Sequence, residues 1–298
     1  MTGKGFGYAY TNTRVRVMKS KLIDPSEYNK LMKMSLDQIA RYLQETDYKK
    51  EIDLLGAKYE EANLIEYAIN QNLANSFNKI LNFSLKDSRK TINLFLKKYD
   101  VWNIKTILRG KQSKENSEEI IQDLVPAGEL KEEFLIEVIK KTNSVQEAIE
   151  AFKKTSYYET MKKNSGNLTE MEDELDLCYM RERIEKTSGK IKEIFREKAL
   201  FLDALNTARA KETKIQMKNI LQEKKNKIVV EDIKKSRIEL RKKMSEKGRK
   251  MVHVFRRDSS PVIGYFIAKE NEVDNLRIIA RGKQANLPLE LIEQQLVY

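Results

Sequence analysis

The chain has 298 residues, of which 40% are hydrophobic and 34% charged, with 57 basic against 45 acidic side chains and a formal net charge of +12. Only 4 Pro and 11 Gly are spread over this length, too few turn formers for a sandwich or barrel of short strands, so long amphipathic helices are expected. A single cysteine, Cys178, excludes a disulfide framework or a site with several thiolate ligands, and it reads as a small half-buried apolar residue in a reducing compartment.

The longest run without Lys, Arg, Asp or Glu is the 12 residues Tyr67 to Asn78, short of the roughly 18 or more that a membrane span needs. The first residues lack the apolar stretch of a signal peptide, and a cytosolic location is the expectation. Along the chain, residues 58–83 carry an apolar helical stripe (Leu64, Ile65, Tyr67, Ala68, Ile69, Leu73, Phe77, Ile80). They are expected to pair antiparallel with the next helix, residues 84–111. There Ser84 and Asp87 resemble a capping box, and Ile92, Phe95, Leu96, Tyr99 and Trp102 recur at helical spacing. Nine basic residues crowd Lys234 to Lys250 against only Glu239 and Glu246, a pattern of a solvated helix face or of a surface seeking phosphates, headgroups or an acidic protein. Ser259-Ser260-Pro261 is a helix start, with Val262 to Lys283 running on as one helix and a strand over Val262–Ala268 as the competing reading. Pro288 opens a last short helix with Leu289, Ile292 and Leu296.

Chemistry-bearing patterns are missing. Neither Gly3-Lys-Gly5-Phe-Gly7 nor the Arg-Gly-Lys triplets continue into the Lys-Ser/Thr of a phosphate-binding loop. His253 is the only histidine, so a two-histidine metal site cannot be built, and it reads as structural. The adjacent acids Glu60-Glu61 and Glu132-Glu133 point about 100° apart on a helix, unsuited to sharing a proton or metal. No catalytic group, cofactor or metal is therefore expected.

What the chain does contain is repetition. Asn103 to Lys111, Asp203 to Lys211 and Asn275 to Lys283 align without gaps. Each has Asn or Asp six residues before an arginine (Arg109, Arg209, Arg281) and eight before a lysine (Lys111, Lys211, Lys283). A second pair, Ser35 to Tyr48 and Ser144 to Tyr157, places Ser before a short amphipathic helix that ends at Thr-Asp/Ser-Tyr. Order is kept while spacing drifts, which divides the chain into three helical units, 1–128, 129–222 and a shorter 223–298. Arg and Lys suit a helix C-terminus. Gly110 and Gly282 suit a C-terminal cap, although Ala210 argues that positive φ is not required in every copy. The Asn and Asp residues could bond to a neighbouring backbone and fix its register, or the motif could touch a partner directly.

These residues carry a family resemblance. The opening Tyr8-Ala9-Tyr10-Thr11-Asn12-Thr13-Arg14-Val15-Arg16, the segment Asn103 to Lys111, and Val273 to Lys283 followed by Leu287-Pro288-Leu289-Glu290 resemble the C subunit of archaeal and bacterial V/A-type rotary ATPases, the homologue of the d subunit of eukaryotic vacuolar enzymes. Asp203 and Ala210 depart from the pattern in the middle unit. The resemblance implies an all-α funnel of three pseudo-threefold-related helical units that binds no nucleotide and moves no ion itself. It implies a place in the central stalk, on the cytoplasmic face of the membrane, between the D and F shaft subunits and the proteolipid rotor ring. Three unequal units around an axis would leave a polar-lined hole able to hold an asymmetric shaft in one orientation. Lys242, Lys243 and Lys247 are the residues expected to dock on the ring. The alternative, a basic helical RNA-binding or scaffold protein, would interleave aromatics with the basic run, and Ile233 to Met251 contains none.

Overall fold

A computed structural model of the protein describes residues 4–213, 220–221, 232–253 and 258–298, with the side chains of 4–7, 86–87 and 209–213 left aside. All regular structure among the described residues is helical: α1 (Lys4–Lys19), α2 (Glu27–Lys33), α3 (Leu36–Gln44), α4 (Lys49–Leu55), α5 (Glu61–Phe83), α6 (Lys86–Ser113), α7 (Ser117–Gln122) and α8 (Glu132–Lys141). Then follow α9 (Val145–Ala151), α10 (Tyr158–Lys163), α11 (Leu168–Lys186), α12 (Gly189–Thr213), α13 (Ile233–His253), α14 (Ser260–Gln284) and α15 (Leu289–Glu293). No described helix is long and apolar enough to cross a membrane.

The chain divides into two compact units, Met1–Ile92 with Lys234–Tyr298, and Asn93–Ile233. This division follows packing, whereas the expectation of three units concerns descent. In the first unit α5 lies chiefly along α14 and also against α4 and α1. Phe77 and Phe266 pack with ring centroids 4.3 Å apart and their planes tilted by 50°, and Ile65, Ala68, Ile69 and Ile80 are fully buried. The antiparallel pairing expected of α5 with the helix that follows it is thus replaced by pairing with a helix about two hundred residues away in sequence. α14 wins because Val262, Ile263, Tyr265, Phe266, Val273, Leu276, Ile279 and Ala280 give it apolar contacts along its length. The same residues settle Val262–Ala268 as helix rather than strand.

In the second unit one core joins α6 to α11. It gathers Val101, Ile104 and Leu108, then Ile120, Leu135 and Ile139, then Ile149, Phe152, Met161 and Leu175. Arg183 of α11, 2% exposed, lies over the rings of Phe195 (3.9 Å) and Phe95 (4.8 Å), so its charge is buried against π faces. One expectation fails locally: Trp102 fits the helical stripe of Tyr99 but is 50% exposed. Ser84 donates to the Ile80 carbonyl (2.6 Å) at the end of α5, and the side chain of Asp87, its expected capping partner, lies outside the described ones.

Candidate functional site: the repeated clamp and the basic helix

Asn103 of α6 is wholly buried, and both ends of its amide are used on one residue. Nδ2 donates to the Val125 carbonyl (2.9 Å), and Oδ1 accepts the Val125 N–H (2.8 Å). Asn275 of α14 does the same to Val297, at 2.7 and 3.1 Å. In each case the clasped residue lies 22 positions downstream, just past the short helix α7 or α15. Asp203 of α12 has no donor, and it is used accordingly: Oδ1 accepts the N–H of Ile220 (2.5 Å) and Oδ2 that of Leu221 (2.9 Å). The departure of the middle copy from Asn is therefore matched by what it holds, two donors in place of a donor and an acceptor. A buried peptide group without a partner costs roughly 1–3 kcal/mol, which is why a clamp of this kind fixes the returning chain.

The other motif residues tie neighbouring helices together. Arg109 bonds Glu172 of α11 through Nε (2.6 Å) and Nη2, and this pairing raises its pKa. Lys105 pairs with Asp176, one turn along α11. In the other unit Arg281 pairs with Glu66 of α5, and Arg277 reaches Glu66 (3.2 Å) and Asn70 (2.6 Å). Lys111 donates to the carbonyls of Ile139 (2.5 Å) and Thr142 (2.6 Å), capping the C-terminus of α8 rather than of its own helix. Burial lowers the pKa of Lys111 and of Lys283. The side chains of Arg209 and Lys211 lie outside the described residues.

The expected role of the glycines needs correction. Gly110 and Gly282 lie inside their helices, and the left-handed caps are Lys114 (φ 58°) and Asn286 (φ 53°), four residues on. Each glycine carbonyl accepts the N–H five residues ahead, from Glu115 or Leu287, at 2.9 Å. Glycine is needed because the next short helix presses an isoleucine onto it: a Cβ would stand 2.5 Å from Ile120 Cγ1 at Gly110 and 2.7 Å from Ile292 Cγ1 at Gly282. Gly282→Ala is expected to cost about 1–2 kcal/mol in thermal unfolding, because the overlap outweighs the helix propensity gained.

The Ser-Thr-Tyr segments complete the same sites. Ser35 and Ser144 cap α3 and α9, accepting from Gln38 N and Glu147 N at 3.2 Å each. Tyr48 donates to Glu272 (2.6 Å) and Tyr157 to Asp100 (2.9 Å), acids three residues before Asn275 and Asn103. Glu272 also accepts from Lys269 (2.8 Å) and from the Ile23 N–H (2.5 Å), while Asp100 accepts the N–H groups of Glu129 (3.0 Å) and Leu130 (2.9 Å). Burial raises the Asp100 carboxyl above its usual range, against those hydrogen bonds. Burial, followed by the facing carboxylate, likewise pushes up both phenols. Sequence reading missed these acids. Their signal was an acid three residues before Asn in two copies, where the middle copy has Leu200.

On α13 the buried residues Ser236, Leu240, Met244, Gly248, Met251 and Val252 recur every three or four positions, leaving Lys242 and Lys243 exposed and Lys247 half-buried. Gly248 and Gly264 allow α13 and α14 to touch: a Cβ on Gly264 would stand 2.6 Å from the Gly248 carbonyl oxygen. Arg241 turns inward, donating to the Gln295 carbonyl (3.0 Å) and Asn275 Oδ1 (3.2 Å), and burial lowers its pKa. His253 is held by Lys19, whose Nζ lies 2.6 Å from its Nε2. Cys178, expected half-buried, is exposed.

Comparison with known proteins fits these elements to one family. The family model described as ATP synthase (C/AC39) subunit matches residues 11–235 and 201–295. The chain is similar to the C subunit of the A-type ATP synthase of Methanococcoides burtonii, with 33% identity over 99% of this chain and 96% of that protein. It is similar also to the proteins of the same name from Methanosarcina acetivorans (34%, covering 97% and 92%) and Archaeoglobus fulgidus (31%, covering 99% and 97%). With the opening Asn12 and Val15 buried in the first unit and the motif helices pinned by the same amide clamp, the chain belongs to the ATP synthase (C/AC39) subunit family.

Proposed function

We propose that this non-catalytic component of an ATP synthase is the central-stalk socket that seats the D and F shaft subunits on the proteolipid ring, at the cytoplasmic face of the membrane, and passes torque between them. The observation that carries the reading is the way the repeats are completed. The motif helix of the third repeat, α14, receives Tyr48 from the first repeat's Ser-Thr-Tyr segment, and the motif helix of the first repeat, α6, receives Tyr157 from the second's. Each front half is thus finished by a helix of another repeat, and the end of the chain is fastened to its beginning. That pattern supports three units (1–128, 129–222 and 223–298) closing around an axis as a funnel, whose wall resists shear because packed interiors deform little. In this reading the clamp residues stiffen the wall, and Lys242, Lys243 and the half-buried Lys247 of α13 meet the ring.

The test is recovery of the tagged chain with shaft and ring subunits after mild solubilisation. Charge reversal at Lys242, Lys243 and Lys247 together is expected to weaken ring attachment by roughly 1 kcal/mol per residue, more at low salt than at high. Attachment unchanged at every salt concentration would remove the ring from the role of α13.

A further inference from the structure

The two motif helices whose side chains are described end in the same backbone device, with different surfaces. After Gly110 the chain presents Glu115, Ser117 and Glu119 around the buried Ile120. After Gly282 the corresponding positions around the buried Ile292 are Leu287, Leu289 and Leu291, exposed to 41%, 44% and 46%. Caps, glycine contact and clamp are alike, so the fold itself does not require leucine there. The lysine of the motif differs too. The Lys111 ammonium is spent on the carbonyls of Ile139 and Thr142, whereas the Lys283 ammonium has no hydrogen bond or ion pair among the described residues. Lys283 instead opens on a recess of about 390 Å³ lined by Ser35, Leu36, Asn286, Leu287 and Leu289, with no acid in its wall.

An unpaired ammonium that is partly desolvated, beside exposed aliphatic side chains, is complementary to a carboxylate carried on an apolar segment. We infer that the α14–α15 turn is a docking site for a partner protein of the complex, which seats an aspartate or glutamate on Lys283 and lays flanking aliphatic residues on Leu287, Leu289 and Leu291. This rests on the proposed place of the chain in the complex and adds the surface and the partner's chemistry.

The first copy supplies the substitutions that test it. The full-length variant Leu287→Glu, Leu289→Ser, Leu291→Glu carries residues that the same turn already bears after Gly110, so its unfolding temperature is expected to stay within about 3 °C of the unchanged chain. Its recovery with the solubilised ATP synthase complex is expected to fall about tenfold or more, and that of Lys283→Gln similarly, while Lys283→Arg keeps binding. Hydrogen exchange of the unsubstituted chain gives a readout free of folding effects: residues 284–293 are expected to be slowed on assembly. Recovery of the triple variant equal to the unchanged chain, or exchange unaltered by assembly, overturns the docking site alone. Failure of the unchanged chain to enter the complex overturns the functional reading beneath it as well.

Discussion

Asn103→Leu is expected to destabilise the second unit by roughly 2–6 kcal/mol in denaturant unfolding, because it strands the buried N–H and C=O of Val125 at about 1–3 kcal/mol each. Chemistry distinguishes this from a loss of packing. Asn103→Asp keeps an acceptor for the Val125 N–H but sets a carboxylate against the Val125 carbonyl oxygen. The buried acid's pKa would then lie above that in the unfolded chain, so the folded state binds the proton more tightly. The penalty is therefore present above the folded-state pKa and is relieved as the pH falls through it, when the protonated carboxyl can donate again. The converse change, Asp203→Asn, turns an NH2 toward a backbone N–H of Ile220 or Leu221 and is expected to cost about 1–3 kcal/mol. If both exchanges of Asn and Asp are silent, the clamp does not hold the chain.

The second large effect is expected at Glu272. Lys269 and Glu272 are each 3% exposed at the side chain, 2.8 Å apart, and share the Tyr48 hydroxyl. Glu272→Leu leaves the Lys269 charge buried without its carboxylate, and the Ile23 N–H without an acceptor, for an expected loss of about 3–5 kcal/mol. Adding Lys269→Met should recover most of it, since an apolar pair of similar volume removes the desolvated charge altogether. Unfolding of the two variants side by side decides the matter. A double variant as unstable as the single one would mean that the network is not acting through charge.

Helices and the triplet motif were legible in the sequence because both are local: spacing, caps and a Pro start need only a few neighbouring residues. What each motif residue does was not legible, since it depends on segments far along the chain. Arg281 and Lys111 suit the ends of their own helices, yet one reaches Glu66 on α5 and the other caps α8. Gly110 and Gly282 resemble caps from the residues beside them, and only Ile120 and Ile292, ten positions on, reveal a close approach. The pairing of α5 with α14 was hidden for the same reason, because chain neighbours are the natural first guess. Cys178 stands between Leu177 and Met180, both buried, and a composition argument cannot tell which side of α11 it faces. Asp100 and Glu272 were within reach, three residues before the asparagine in both copies, but an acid on a helix reads as solvated until a tyrosine is placed over it.

Mechanical coupling through this chain is tested by comparing liposomes bearing the complete ATP synthase with liposomes from which this chain has been left out, following ATP hydrolysis and ATP-driven ion uptake together. Omitting the chain should leave hydrolysis by the catalytic head in place and abolish ion uptake, with both restored to proportion when the purified chain is added back. Ion uptake that continues at the full rate without it would contradict the account.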